Sequence, residues 1–162
     1  MTSFVESTRG MIERLLPGCG AQFALEQIPA ENGYDVWEMD ARGGRPVLRG
    51  NNPVSVACAL NAYLEGEIGA CISRSGSNIP LPEVLPAPRA AVRRVIRQRR
   101  RAYMNYCTIS YSAAWWCWDA WEREIDLMAL KGINMPLTVV GAEAAWYYTL
   151  LDMGYDDEAA RR

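Results

Sequence analysis

From Tyr103 to Met153 the sequence alternates an apolar run, an amphipathic stretch, a second apolar run and another helical stretch. That order calls for parallel strands joined by helical crossovers. The second run, Ile133–Val140, is almost wholly apolar, as expected for a strand covered on both faces. Two strand–helix units cannot close a sheet alone, because the second strand would keep a bare apolar edge. The pattern therefore predicts an α/β chain that ends in the first two βα units of an incomplete (β/α)8 barrel. In detail, Tyr103–Thr108 reads as a strand and Ser110–Trp116 as a loop. Asp119–Lys131 reads as a helix with Trp118, Trp121, Ile125, Met128 and Ala129 facing inward. On that helix Asp119 and Arg123 stand four apart in the favourable order. Glu122, Glu124 and Asp126 are assigned to its solvated face. Gly132 stops it, Gly141 turns the chain into the helix Ala142–Met153, and a further helix starts near Asp156.

The first 80 residues carry a different pattern, that of a small α+β sandwich. Residues 2–16 are amphipathic, with Phe4, Val5, Thr8, Met11, Ile12, Leu15 and Leu16 on one face and Pro17-Gly18 as the stop. Phe23–Ile28 and Tyr34–Ala41 read as strands joined through Glu31-Asn32-Gly33, a hairpin signal. Arg42-Gly43-Gly44-Arg45 leads into a third, antiparallel strand, Pro46–Arg49. Asn51 or Asn52 can cap the next helix, and Pro53 suits its first turn. Val56, Leu60, Tyr63 and Leu64 form its inner stripe and Gly66 its end. Residues 68–73 read as a last short strand.

Two Pro-rich pieces, Ile79–Pro82 and Leu85–Pro88, make a stiff connector. The expected division is therefore 1–80 for the first unit, 81–102 for a Pro/Arg-rich linker and 103–162 for the start of the barrel. Six arginines fall within residues 93–101. No aromatic residue is interleaved among them and the net charge is −2, so pairing with carboxylates or exposure to solvent is favoured over a nucleic-acid patch.

Composition narrows the chemistry. The chain has no histidine, which removes His-based triads, metal sites and general bases. Five cysteines, an odd number without a CxxC pair, argue for reduced and mostly buried thiols. No cofactor or metal is expected. No stretch approaches a membrane span, so no membrane partner is expected. A soluble, cytoplasmic protein is the default, with a secreted or lysosome-like parent as the alternative if a leader precedes residue 1. Oligomeric state is not legible.

Reactive groups of α/β barrels sit at the C-terminal ends of strands. That rule selects Asn105 and Cys107 after the first strand, and Gly141 and Glu143 after the second. The Asn105 amide suits a sugar hydroxyl or acetamido group, or simply a hydrogen bond at the rim. Cys107 has no visible base, so it reads as a packed or substrate-touching thiol. Glu143 lies in a first helical turn, where a carboxylate also suits the helix dipole. Tyr111, Trp115 and Trp116 can stack on sugar faces, though packing a helix onto the barrel is their commoner use.

Together, Asn105-Tyr106-Cys107-Thr108, Ser110-Tyr111-Ser112, Trp115-Trp116, the helix Trp121–Asp126, Gly132-Ile133-Asn134 and Gly141-Ala142-Glu143-Ala144 resemble the start of the catalytic barrel of the α-N-acetylglucosaminidases. The first unit looks like that family's N-terminal domain. The resemblance implies a glycoside hydrolase that removes terminal α-linked N-acetylglucosamine from glycans with retention. It also implies two catalytic glutamates on barrel strands beyond residue 162, so that the chain alone is an inactive fragment with no catalytic residue of its own. It places Asn105 and Cys107 in the sugar pocket and Gly141 and Glu143 in the next rim loop. Cys117 stands where the family usually has an acidic residue, so a helix cap is expected to be lost. Pro136 interrupts the second strand, and Val139 replaces a larger residue. The competing reading is a non-catalytic remnant that binds a glycan or a protein partner.

Overall fold

A computed structural model describes residues 4–137 and 142–161 of this mixed α/β protein. Helix α1 (Phe4–Leu15) buries Thr8, Met11 and Ile12. Strands β1 (Ala24–Gln27), β2 (Asp35–Arg42) and β3 (Arg45–Gly50) follow, then helix α2 (Pro53–Tyr63). Asn52 caps α2 by accepting the Ser55 N–H at 2.9 Å, and Pro53 occupies its first turn. Beyond Tyr63 the chain widens into a π-helical turn, Leu64–Ile68. Gly69, in the left-handed region at φ 72°, makes the stop expected at Gly66. A hairpin of β4 (Cys71–Ser73) and β5 (Gly76–Asn78) comes next.

The hairpin expected between Phe23–Ile28 and Tyr34–Ala41 does not form. Asn32 and Gly33 do adopt positive φ, but the turn closes a single bridge, Glu31 to Tyr34. The sheet order is β1-β3-β2-β6, with β1 parallel to β3 and the other pairs antiparallel. Strand β3 separates the two because Pro46, Val47 and Leu48 are all buried, the demand of a central strand. The fourth strand, β6 (Val92–Ile96), comes from the arginine-rich run. It pairs Asp35 through Met39 with Ile96 through Val92. Arg93 bridges Glu31 and Glu38, Arg99 lies over the Tyr34 ring, and the Arg101 guanidinium donates to Asp35 at 2.5 Å. At least these three arginines bind the first unit, the carboxylate-pairing use favoured from sequence.

Met11, Ile12, Leu16, Phe23, Leu48, Val56, Leu60 and Tyr63 build the core where α1 and α2 cover the sheet. Phe23 meets Tyr63 edge-on, with centroids 5.4 Å apart. The Pro-rich connector packs on this core: Leu85 is buried, its N–H donates to Gln22, and the Tyr63 hydroxyl donates to the Pro86 carbonyl at 2.8 Å.

The chain then forms β7 (Ala102–Tyr103), α3 (Tyr106–Ser110), α4 (Trp118–Leu130), β8 (Met135–Pro136), α5 (Ala142–Asp152) and α6 (Asp157–Ala160). Strands β7 and β8 are parallel, pairing Tyr103 with Pro136. Both are far shorter than the expected runs Tyr103–Thr108 and Ile133–Val140. Asn105 ends the first by starting a helix. Of the second, residues 138–140 lie outside the described residues.

The faces of α4 are also redistributed. Glu124 and Asp126, expected in solvent, are each 4% exposed, while Trp118 and Ile125, expected inside, are exposed. The physical cause is that α4 packs its carboxylate-bearing side against the first unit, where α2 is its chief neighbour and arginines supply counter-charge. The apolar side instead lines an open groove of about 500 Å³ with Val54, Ile133 and Leu137. The cysteines are free as expected, but Cys71, Cys107 and Cys117 are exposed, so they are not mostly buried. No helix among the described residues is long and apolar enough to cross a membrane.

Candidate functional site

The candidate site is the turn that follows β7. Met104 sits at φ 69°, a region that costs a residue with a Cβ roughly 1 kcal/mol or more and therefore persists only where neighbours enforce it. That turn reverses the chain out of the strand and delivers Asn105 to the N-cap of α3. The Asn105 side-chain oxygen accepts the N–H of Cys107 at 2.9 Å and of Thr108 at 3.2 Å. The Thr108 hydroxyl in turn lies 3.5 Å from the Asn105 N–H, which completes a reciprocal capping box. Because the oxygen is committed to the helix, the amide NH2 is the group left to meet a ligand.

Asn105 lines a concavity of about 400 Å³ with Arg74, Ala102, Tyr103, Met104 and Thr108. Cys107, the second residue of α3, is exposed. Glu143 is placed elsewhere. It lies in the first turn of α5 and lines a second concavity with Tyr147, Tyr148 and Arg161. Gly141 lies outside the described residues. The described residues thus bring Asn105 and Cys107 onto one turn and leave Glu143 in another hollow.

The aromatic residues divide the same way. Trp116 and Trp121 meet edge-on at 4.9 Å, with the Arg74 guanidinium 4.9 Å above the Trp116 ring. Trp115 is 96% exposed, and Tyr106 and Tyr111 are exposed as well. Packing, the commoner use expected for these aromatics, therefore describes Trp116 and leaves out Tyr111 and Trp115. Cys117 occupies the N-cap of α4 without a side-chain hydrogen bond, as expected from the loss of an acidic residue there.

Sequence reasoning missed Arg74, Tyr103 and Glu124. Glu124 is buried and pairs with Arg74 at 3.6 Å. Burial pushes the pKa of the Tyr103 phenol up, and the negative charge of Glu124 adds to that shift. A usable signal was present: Glu124 stands between Ala120 and Leu127 at helical spacing, a poor place for a solvated carboxylate. Among the described residues no group of three or more metal-ligating side chains gathers.

The chain as a whole has close counterparts among solved structures. A family 89 glycoside hydrolase from Clostridium perfringens, in complex with PUGNAc, superposes with a TM-score of 0.88 at 31% identity over 97% of this chain. A Clostridium perfringens structure with two glutamates replaced by glutamine, in complex with its substrate GlcNAc-alpha-1,4-galactose, superposes equally well. The fold is therefore that of a glycoside hydrolase class. The model described as Alpha-N-acetylglucosaminidase (NAGLU) N-terminal domain matches residues 6–87, and that described as Alpha-N-acetylglucosaminidase (NAGLU) tim-barrel domain matches residues 101–162. The chain belongs to the alpha-N-acetylglucosaminidase family. The Homo sapiens Alpha-N-acetylglucosaminidase is 39% identical over 153 residues, 91% of this chain. The chain spans about a fifth of its relatives' length, 21% of the human protein and 18% of the bacterial one.

Proposed function

We propose that this polypeptide supplies the first unit and the opening of the catalytic barrel to an enzyme that removes terminal α-linked N-acetylglucosamine from glycans with retention. In this reading residues 1–80 form the N-terminal domain, 81–102 the linker and 103–162 the first two βα units of a (β/α)8 barrel. The carrying observation is the likeness, over 97% of the chain, to a bacterial enzyme whose structures hold sugar-like ligands and substrate. Retention needs an acid/base and a nucleophilic carboxylate about 5 Å apart. We assign that pair to strands outside these 162 residues. Asn105 and Cys107 then form part of the pocket wall, the NH2 of Asn105 donating to the sugar and Cys107 packing beside it. Gly141 and Glu143 belong to the next rim loop.

The test has two arms. The 162-residue chain alone should not hydrolyse a nitrophenyl α-N-acetylglucosaminide. A polypeptide carrying the rest of the barrel should, and Asn105→Ala in it should lower kcat/KM by roughly 10- to 100-fold, the loss of one substrate hydrogen bond. Turnover by the short chain, or an unchanged kcat/KM in the variant, contradicts the assignment. A second reading, a glycan-binding remnant without catalysis, is favoured only by the exposure of Tyr106, Tyr111 and Trp115. Titration of the short chain with an α-N-acetylglucosaminyl disaccharide, followed by tryptophan fluorescence, decides it.

A further inference from the structure

We infer that Arg74, on the first unit, is a positioning residue that clamps both ends of the loop bearing Asn105 and Cys107. The inference rests on the proposed role of that loop as substrate wall. Arg74 occupies the turn between β4 and β5. One side chain there meets two partners and borders a third element of the loop. Its guanidinium carbon lies 4.9 Å over the Trp116 ring, where the loop ends. Its Nε lies 3.6 Å from Glu124 Oε2, the only ion pair of Glu124 among the described residues. Its side chain also lines the concavity shared by Tyr103, Asn105 and Thr108, where the loop begins.

The chemistry of Glu124 makes the contact consequential. The carboxylate is 4% exposed, and its Oε1 accepts no hydrogen bond among the described residues. The Tyr103 phenol is the other group that the Glu124 carboxylate meets, and it carries no charge, so Arg74 is the one counter-charge of this buried carboxylate among the described residues. Removing the guanidinium leaves that carboxylate without its counter-charge and strips the cation from Trp116. Trp116 reports the loss onward to Trp121, its edge-on neighbour on α4. Met104, held at positive φ between Tyr103 and Asn105, relaxes most readily once the ends of the loop are released. The first unit is on this account part of what shapes the sugar wall.

The test uses the 162-residue chain and two readouts that involve no sugar. Hydrogen exchange read by mass spectrometry gives the protection of residues 105–116 against that of β2 and β3. Circular dichroism gives the coupled Trp116–Trp121 band. In Arg74→Met we expect exchange across 105–116 to rise about tenfold or more, with the sheet unchanged and the coupled band reduced. Arg74→Lys, which restores the cation, should recover most of both. If Arg74→Met fails to fold, Arg74→Met/Glu124→Met removes the stranded charge and should still lose loop protection and the band. Wild-type protection and an intact band in whichever variant folds overturn the clamp. An unchanged response in Arg74→Lys and Arg74→Met alike, both deprotected, would also sink it, because the cation would then not be what positions the loop. A negative glycan assay bears on the proposed function alone and leaves these readouts untouched.

Discussion

Asp126 accepts hydrogen bonds from Nη2 and Nε of Arg14, at 2.6 and 2.7 Å, so that α4 is tied to α1. The carboxylate is almost fully buried, while the Arg14 side chain is 41% exposed. Arg14→Met should cost about 2 kcal/mol, less than a fully buried pair because solvent screens the arginine. Asp126→Asn, which leaves no charge behind, should cost less than Arg14→Met. The shift in urea midpoint at constant slope checks both values. Equal losses in the two variants contradict the stranded-charge argument.

Gly132 presses against Cys58. A Cβ there would lie 2.9 Å from the Cys58 sulfur, and the residue sits at φ 75°. Gly132→Ala should therefore cost about 2–3 kcal/mol, part from the left-handed backbone and part from overpacking. Cys58→Ala opens the space, so the double variant should recover roughly 1 kcal/mol of that loss relative to additivity. A thermal-melt double-mutant cycle measures the coupling. Burial pushes the Cys58 thiol up to about 11, so Cys58 should resist alkylation at pH 8 while Cys71, Cys107 and Cys117 react.

Cys117 has the extended backbone of an N-cap, φ −79° and ψ 176°, with no capping bond. Cys117→Asp or Cys117→Ser should supply one and stabilise the chain by about 0.5–1 kcal/mol. The aspartate should gain more, since α4 begins at the positive end of its dipole. A lower melting temperature in both variants would refute the vacant cap.

Acid should weaken the junction at Asp35. Burial alone would raise this carboxyl, but hydrogen bonds from Asn51, Arg101 and Asn52, with the charge of Arg101, outweigh it and hold the pKa below the ordinary value. A depressed folded-state pKa contributes stability that is full above the unfolded value, about 3.9, and is lost as pH falls through the folded one. Glu26 and Glu65 act in the same direction. Urea midpoints should hold from pH 7 to 5 and fall below about pH 4, with a shallower fall in Asp35→Asn. Matching acid slopes in wild type and variant would refute this role.

Helix starts were the most legible features, because caps are local chemistry: Asn52-Pro53 and Asp156 do what their residue types dictate. Strand neighbours were less legible. The Asn32-Gly33 turn is real, yet it does not decide that β3 enters between its arms. The unbroken run Pro46-Val47-Leu48 was the available sign of a central strand. Asn105 was selected by strand-end logic, but the strand ends two residues before it. Asn105 and Thr108 spell a reciprocal cap that the flanking apolar residues disguised. Arg74, Glu124 and Trp116 could not be joined from sequence, since their meeting depends on how the hairpin docks on α4. Such contacts between distant segments have no local periodicity.

The connector is fastened to the core at Tyr63 and Gln22. Its composition suggests a spacer that would tolerate changes of length, but it is pinned at Leu85 and Pro86 and again where β6 joins the sheet. Only residues 87–91 lie between these anchors. Removing a single residue there would slip β6 by one position and turn Arg93 away from Glu38. The segment behaves as a ruler that transmits the position of the first unit to β7.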